Sequence, residues 1–149
     1  TAAAIRKDLK AAFPDTLFRI RSDTYAGGNS VSISWTDGPS SQVVDLLVGK
    51  YQAGHFDGMT DMYEYSNSRS DIPQVKYVQT QRRYSADLAR KIAAELKARY
   101  GYEIKIRDSK YDGWTPEPQY IGMESAHDLI YRAIQDHGRE EAAARQKTA

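Results

Sequence analysis

The residues best suited to chemistry in this chain of 149 gather in one short stretch, His55-Phe56-Asp57-Gly58-Met59-Thr60-Asp61. An imidazole beside two carboxylates can trade protons near neutral pH, so His55, Asp57 and Asp61 are the candidate acid/base centre. The pattern places no nucleophile beside them, and loop residues of this kind often only shape a turn. The other histidines, His127 and His137, fall ten apart on or beside a C-terminal helical pattern. At 3.6 residues per turn that spacing sets them about 80° apart, off any common metal-binding face. Cysteine is absent, which excludes thiolate zinc, a cysteine nucleophile and a disulfide scaffold, and fits a reducing cytoplasm. Gly27, Gly28, Gly38 and Gly58 match neither a phosphate-binding loop nor a dinucleotide fingerprint. No metal or cofactor is called for, and a binding protein is favoured over an enzyme.

A second group of residues points to binding. Arg19, Arg21, Lys76, Arg82, Arg83, Lys105 and Arg107 interleave with Tyr25, Tyr77, Tyr84, Tyr102 and Tyr111 along strand-like segments. On a shared exposed face they would make a basic surface with tyrosines at its margin, able to hold phosphates and stack bases. The same surface would suit an acidic protein partner, or would simply be a solvated strand face. The formal net charge is only +1, so any basic surface must be local. Eleven tyrosines stand against 3 Phe and 2 Trp, a bias toward half-buried positions and interfaces. The candidate binding residues are Arg19, Arg21, Trp35, Asp37, Phe56, Asp57, Tyr77, Arg82 and Arg83.

The elements that must position them follow from periodicity. Ile5, Leu9, Ala12 and Phe13 lie on one helical face, and Pro14-Asp15 ends that helix. A strand through Phe18 and Ile20, the turn Tyr25-Ala26-Gly27-Gly28-Asn29 and an alternating run Val31, Ile33, Trp35 predict a hairpin with a serine-lined outer face. Asp37-Gly38-Pro39 turns the chain, and Ser40 or Ser41 is expected to cap a helix with Val44, Leu47 and Val48 inside. Residues 55–61 read as a loop, Met62 to Tyr65 as the start of a strand, 66–74 as a polar loop, and the segment through about Arg83 as a further strand. Ser85 starts a helix that Gly101 closes. Tyr102, Ile104 and Ile106 predict another strand, 108–124 an irregular connection, and Ser125 with Asp128 the cap of a last helix.

The order is thus α-β-β-α-β-β-α-β-α, an α+β fold with an antiparallel or mixed sheet of about four to five strands covered by helices. One domain over 1–138 and a solvated helical tail over 139–149 are expected. An internal repeat is suggested by laying Ile5 to Phe13 over Ile92 to Tyr100, and Arg19 to Gly27 over Lys105 to Gly113, with Trp35-Thr36 echoed by Trp114-Thr115.

Four segments carry a family resemblance: Ile5 to Pro14, Phe18-Arg19-Ile20-Arg21-Ser22, Ser34-Trp35-Thr36-Asp37-Gly38-Pro39 and Phe56-Asp57-Gly58-Met59-Thr60-Asp61. Over about residues 2–85 they resemble the large polyvalent protein-associated domain 29 family of phages and conjugative elements. The resemblance implies an α+β accessory module acting in the cytoplasm of a bacterial host. It brings no catalytic residues. The expected partner is a host or mobile-element protein, as for an inhibitor of a restriction or CRISPR defence, with nucleic acid the alternative and no membrane. Trp35 is expected to anchor the core. An exposed Trp35 beside Phe56 and Asp57 would instead make the two clusters one binding surface.

Overall fold

The computed structural model describes residues 1–111 and 113–148, with side chains described as far as residue 138. Where one domain over 1–138 was expected, the contacts gather into two compact units, Thr1–Arg83 and Tyr84–Ala149, each with its own buried cluster.

The first unit begins with helix α1 (Ala2–Ala12), then strands β1 (Arg19–Tyr25) and β2 (Gly28–Thr36) and helix α2 (Ser41–Val48). A 3-10 turn (Gly49–Tyr51) leads to the short hairpin β3 (His55–Asp57) and β4 (Met62–Glu64), and β5 (Tyr77–Arg83) closes the unit. The sheet order is β1-β2-β5, with β2 antiparallel to β1 and parallel to β5. Parallel pairing requires a crossover, and the segment carrying α2 supplies it.

Alternation along β2 decides which face is covered. Val31, Ile33 and Trp35 are buried among Ile5, Leu9 and Phe13 of the α1 end and Val44 and Val48 of α2. Removing a side chain such as Ile33 from water contributes about 1.5–3 kcal/mol, so this alternation fixes the register and leaves the intervening serines outside. Trp35 anchors the corner as expected: its indole N–H donates to the Pro39 carbonyl at 3.0 Å, and its ring lies 5.4 Å from that of Phe18. Ser40 occupies the cap position of α2 but makes no side-chain cap bond, and its buried hydroxyl has no partner among the described residues.

The second unit holds α3 (Ala86–Tyr100), the hairpin β6 (Ile106–Ser109) and β7 (Gly113–Pro116), the small hairpin β8 (Tyr120–Ile121) and β9 (Glu124–Ser125), and α4 (Ala126–Thr148). Its caps follow the expected chemistry. Ser85 Oγ accepts from the Leu88 N–H at 3.1 Å, Gly101 takes φ 74° at the end of α3, and Ser125 Oγ accepts from the Asp128 N–H at 3.1 Å while donating to its carboxylate at 2.6 Å. The core is Ala89, Ile92, Ala93, Ile104, Trp114, Ala126, Leu129, Ile130 and Ile134. The expectation of a solvated tail over 139–149 lies outside the described side chains, although the backbone of α4 is helical to Thr148.

The α+β class holds, but the strands divide among a three-stranded sheet and three two-stranded hairpins rather than one sheet of four or five. The segment read as a loop at 55–61 contains β3, and the connection 108–124 contains β7, β8 and the start of β9. Both units run helix, hairpin, helix, with a buried tryptophan on the second hairpin strand. In one unit α1 packs on β1 and α2; in the other α3 packs on β6 and α4. The repeat is one of order and not of register. Trp114 pairs with Asp108 next to its turn, whereas Trp35 lies beyond the Arg19–Ser34 pair at the open end of its hairpin.

Candidate functional site: the open face of the β1-β2-β5 sheet

The residues that β2 turns away from the core line up with their neighbours in rows. Arg19 pairs with Ser34 and Ser34 with Gln81; Arg21 with Ser32 and Ser32 with Gln79; Asp23 with Ser30 and Ser30 with Tyr77. Tyr25 opposite Gly28 and Arg83 opposite Thr36 finish the two ends. Since side chains alternate with period two, all of these lie on one face. Arg19, Arg21, Ser32, Gln79, Gln81 and Arg83 are exposed. From the Tyr77 row to the Arg83 row the face spans about 20 Å, at about 3.3 Å per residue.

The distinguishing feature of this face is that its cations are gathered on one side of a sheet with a single carboxylate among them. Some cations elsewhere are matched to carboxylates: Lys50 with Asp8 at 2.6 Å, Arg90 with Asp108 at 3.1 Å, Lys97 with Glu103 at 2.6 Å, and Arg132 with Glu124; others, such as Lys7, Lys91, Lys105 and Arg107, are in no ion pair among the described residues. Among the described residues Arg19, Arg21 and Arg83 enter no ion pair. Asp23 is the single carboxylate in the rows. The three guanidiniums, with serine hydroxyls and glutamine amides between them, form a donor-rich, positively charged sheet surface.

One end of the face is aromatic. Tyr63 meets Tyr77 edge-on at 5.4 Å and Tyr65 at 4.9 Å. The Lys76 ammonium lies 4.9 Å from the Tyr63 ring centre and 5.9 Å from that of Tyr77, and donates to the Gly27 carbonyl at 2.9 Å. The Tyr63 hydroxyl donates to the Lys76 carbonyl, and burial pushes its pKa up. A Cβ on Gly28 would stand 3.0 Å from Lys76 Cδ and 3.3 Å from Tyr25, so the absent side chain lets Tyr25 and Lys76 approach.

The predicted site residues separate into three groups. Arg19, Arg21, Tyr77 and Arg83 come together on the open face. Arg82 points to the other side, where its guanidinium donates to the Asp37 carbonyl at 2.9 Å and the Gly38 carbonyl at 2.8 Å, bracing the corner. Asp37 takes φ 57° in that corner, and Trp35 is buried. Phe56 and Asp57 lie on the β3–β4 hairpin, with Phe56 opposite Tyr63.

The acid/base reading of the hairpin finds little support in its geometry. Asp57 accepts from the Met59 N–H and the Thr60 hydroxyl, both at 2.9 Å, and these bonds hold its carboxyl below the usual range. It shapes the turn, in which Asp61 takes φ 53°. His55 turns to Ser66 Oγ at 3.1 Å and to Glu64 at 3.7 Å, all at the surface. Among the described residues no group of three His, Asp or Glu could hold a metal ion, and no helix is long and apolar enough to cross a membrane.

Tyr63 was legible as a strand residue, while Tyr65 lies just past the end of β4; neither was legible as part of the surface, because the contact of Tyr63 with Tyr77 comes from the fold of residues 53–76. Gln79 and Gln81 carried a usable signal, since they alternate in step with Tyr77 and Arg83.

The first unit is therefore an α+β module with two helices on one side of a small mixed sheet and a polar, arginine-bearing face on the other. The model of the large polyvalent protein associated domain 29 family matches residues 1–85, and the chain belongs to that family. The match ends two residues past the end of the first unit. The family places the protein among products of phages and mobile elements. No curated protein and no solved structure matches the chain.

Proposed function

We propose that this is a non-enzymatic binding protein of a phage or mobile element, and that it binds nucleic acid on the open face of the β1-β2-β5 sheet, in the cytoplasm of a bacterial host. The observation that carries this reading is the set Arg19, Arg21 and Arg83: three guanidiniums on one exposed face, held by rigid strands, without carboxylate partners among the described residues. Charges left uncompensated on a fixed surface favour a polyanion, and guanidinium donors match phosphate oxygens in geometry. The test is titration of a labelled oligonucleotide at several salt concentrations. Each arginine replaced by alanine is expected to weaken binding across sequences and to reduce the slope of log K against log salt by about one. Absence of binding at low salt would remove the proposal. Arg82→Ala is a poor probe here, because that side chain braces the corner.

A second reading, contact with a host or mobile-element protein, is favoured by the β3–β4 hairpin. Its tip exposes Phe56 (52%), Met59 (97%) and Met62 (64%) beside Asp57, Asp61 and Glu64. An apolar, acidic tip suits a protein surface. Inhibition of a host defence complex is the specific version. Phe56→Glu with Met59→Glu should abolish a complex recovered from host lysate while leaving oligonucleotide binding intact.

A further inference from the structure

We infer that the tyrosine end of the open face is a stacking site for an unpaired nucleobase, so that the strand bound by the arginines is single-stranded. This rests on the nucleic-acid reading above and specifies its substrate. Tyr25 and Tyr77 share the face with Arg19 and Arg21, at the end marked by the β1–β2 turn. Tyr65 extends the cluster through its edge contact with Tyr63, and it is 64% exposed while Tyr25 is 45% exposed.

Two features argue for a ring-binding site rather than tyrosines merely capping a core. The inner ring, Tyr63, is fixed by its hydroxyl bond to the Lys76 carbonyl and by edge contacts to both neighbours, so the outer ring is supported from beneath. The Lys76 ammonium is pinned over the inner rings and on the Gly27 carbonyl, which keeps a positive charge next to the aromatic end. A base stacked on an exposed tyrosine therefore has a cation nearby for its own phosphate. A duplex keeps its bases inside and offers no free ring face along its length, so the tyrosines would add nothing to duplex binding.

The experiment uses the full chain and three fluorescent probes: a 12-nucleotide thymidine strand, an abasic strand of equal length, and a 12-base-pair duplex. The thymidine strand is expected to bind about fivefold or more tightly than the abasic one, and Tyr65→Ala or Tyr25→Ala should erase that preference without changing abasic binding. Tyr65→Phe should retain it, since the ring remains. Tyr65 is exposed, so its replacement is expected to leave the fold intact, and circular dichroism of each variant checks it. Equal affinity for thymidine and abasic strands, tighter binding of the duplex, or a preference that survives both alanine variants would overturn the stacking site while leaving the arginine face standing. Failure of all three probes to bind at low salt would overturn both.

Discussion

Asp8 on α1 shows how a single residue couples two elements of the first unit. Its carboxylate accepts from the Lys50 ammonium at 2.6 Å and from the buried Tyr51 hydroxyl at 2.8 Å. The Lys50 bond, then the Tyr51 bond, hold its pKa below the ordinary 3.8. A depressed folded pKa means that the unfolded chain binds the proton more readily. The stabilisation is therefore present above the ordinary value and is lost as pH falls through the folded one. Asp8→Asn should lower the denaturation midpoint near neutral pH, and the gap to the unaltered protein should narrow as pH falls below 3.8 and close once it passes the folded value. Denaturant titrations at several pH values check this, and a gap independent of pH would show that packing rather than charge dominates. The role of Asp8 was not legible in sequence, because its partners lie on a 3-10 turn some forty residues away.

At the scale of elements, the β3–β4 hairpin depends on one close approach. A Cβ on Gly54 would stand 1.8 Å from the Glu64 carbonyl oxygen, 2.7 Å from its carbon and 2.9 Å from Tyr65 Cα. These are backbone atoms and cannot swing aside. Gly54→Ala should destabilise the first unit by at least about 1–3 kcal/mol and loosen Tyr63 and Tyr65. Gly58→Ala, where no heavy atom lies within 4 Å, should stay within about 0.5 kcal/mol. Midpoints from urea titration distinguish the two. The elements themselves varied in legibility for a physical reason. The helices α1 and α3, the serine-faced β2 and the caps at Ser85, Gly101 and Ser125 are written in local periodicity and capping chemistry. Strands of two or three residues, such as β3 and β8, carry too few positions for a period to emerge. The parallel pairing of β2 with β5 is a long-range choice that no local pattern encodes.

At the scale of the whole molecule, two separate hydrophobic clusters imply two folding units. The first has Ile5, Ile33 and Val44 at its centre, the second Ile92, Ile130 and Ile134. A chain cut to residues 1–83 is expected to unfold cooperatively in denaturant and to retain oligonucleotide binding, because every residue of the open face lies within it. A featureless, non-cooperative transition would show that the first unit needs the second. The α+β class and most of the candidate face, namely Arg19, Arg21, Tyr25, Lys76, Tyr77 and Arg83, were legible in the sequence. The rest, Tyr63 and Tyr65, is a product of chain folding over residues 53–76. The contrast between Arg82 and Arg83 could not be read from a dibasic pair until strand register assigned each to its side of the sheet.

That parallel pairing has a consequence in time. β5 is the last strand of its unit to leave the ribosome, and its pairing with β2 spans about forty intervening residues, a slow, high-contact-order step. Until β5 docks, the β1–β2 hairpin presents Arg19 and Arg21 without Gln79, Gln81, Tyr77 or Arg83. A nascent or prematurely ended chain would thus hold only a fragment of the arginine-bearing face. On the proposed nucleic-acid reading, completion of the fold and the onset of binding would be the same event, and half-made copies would not occupy the target.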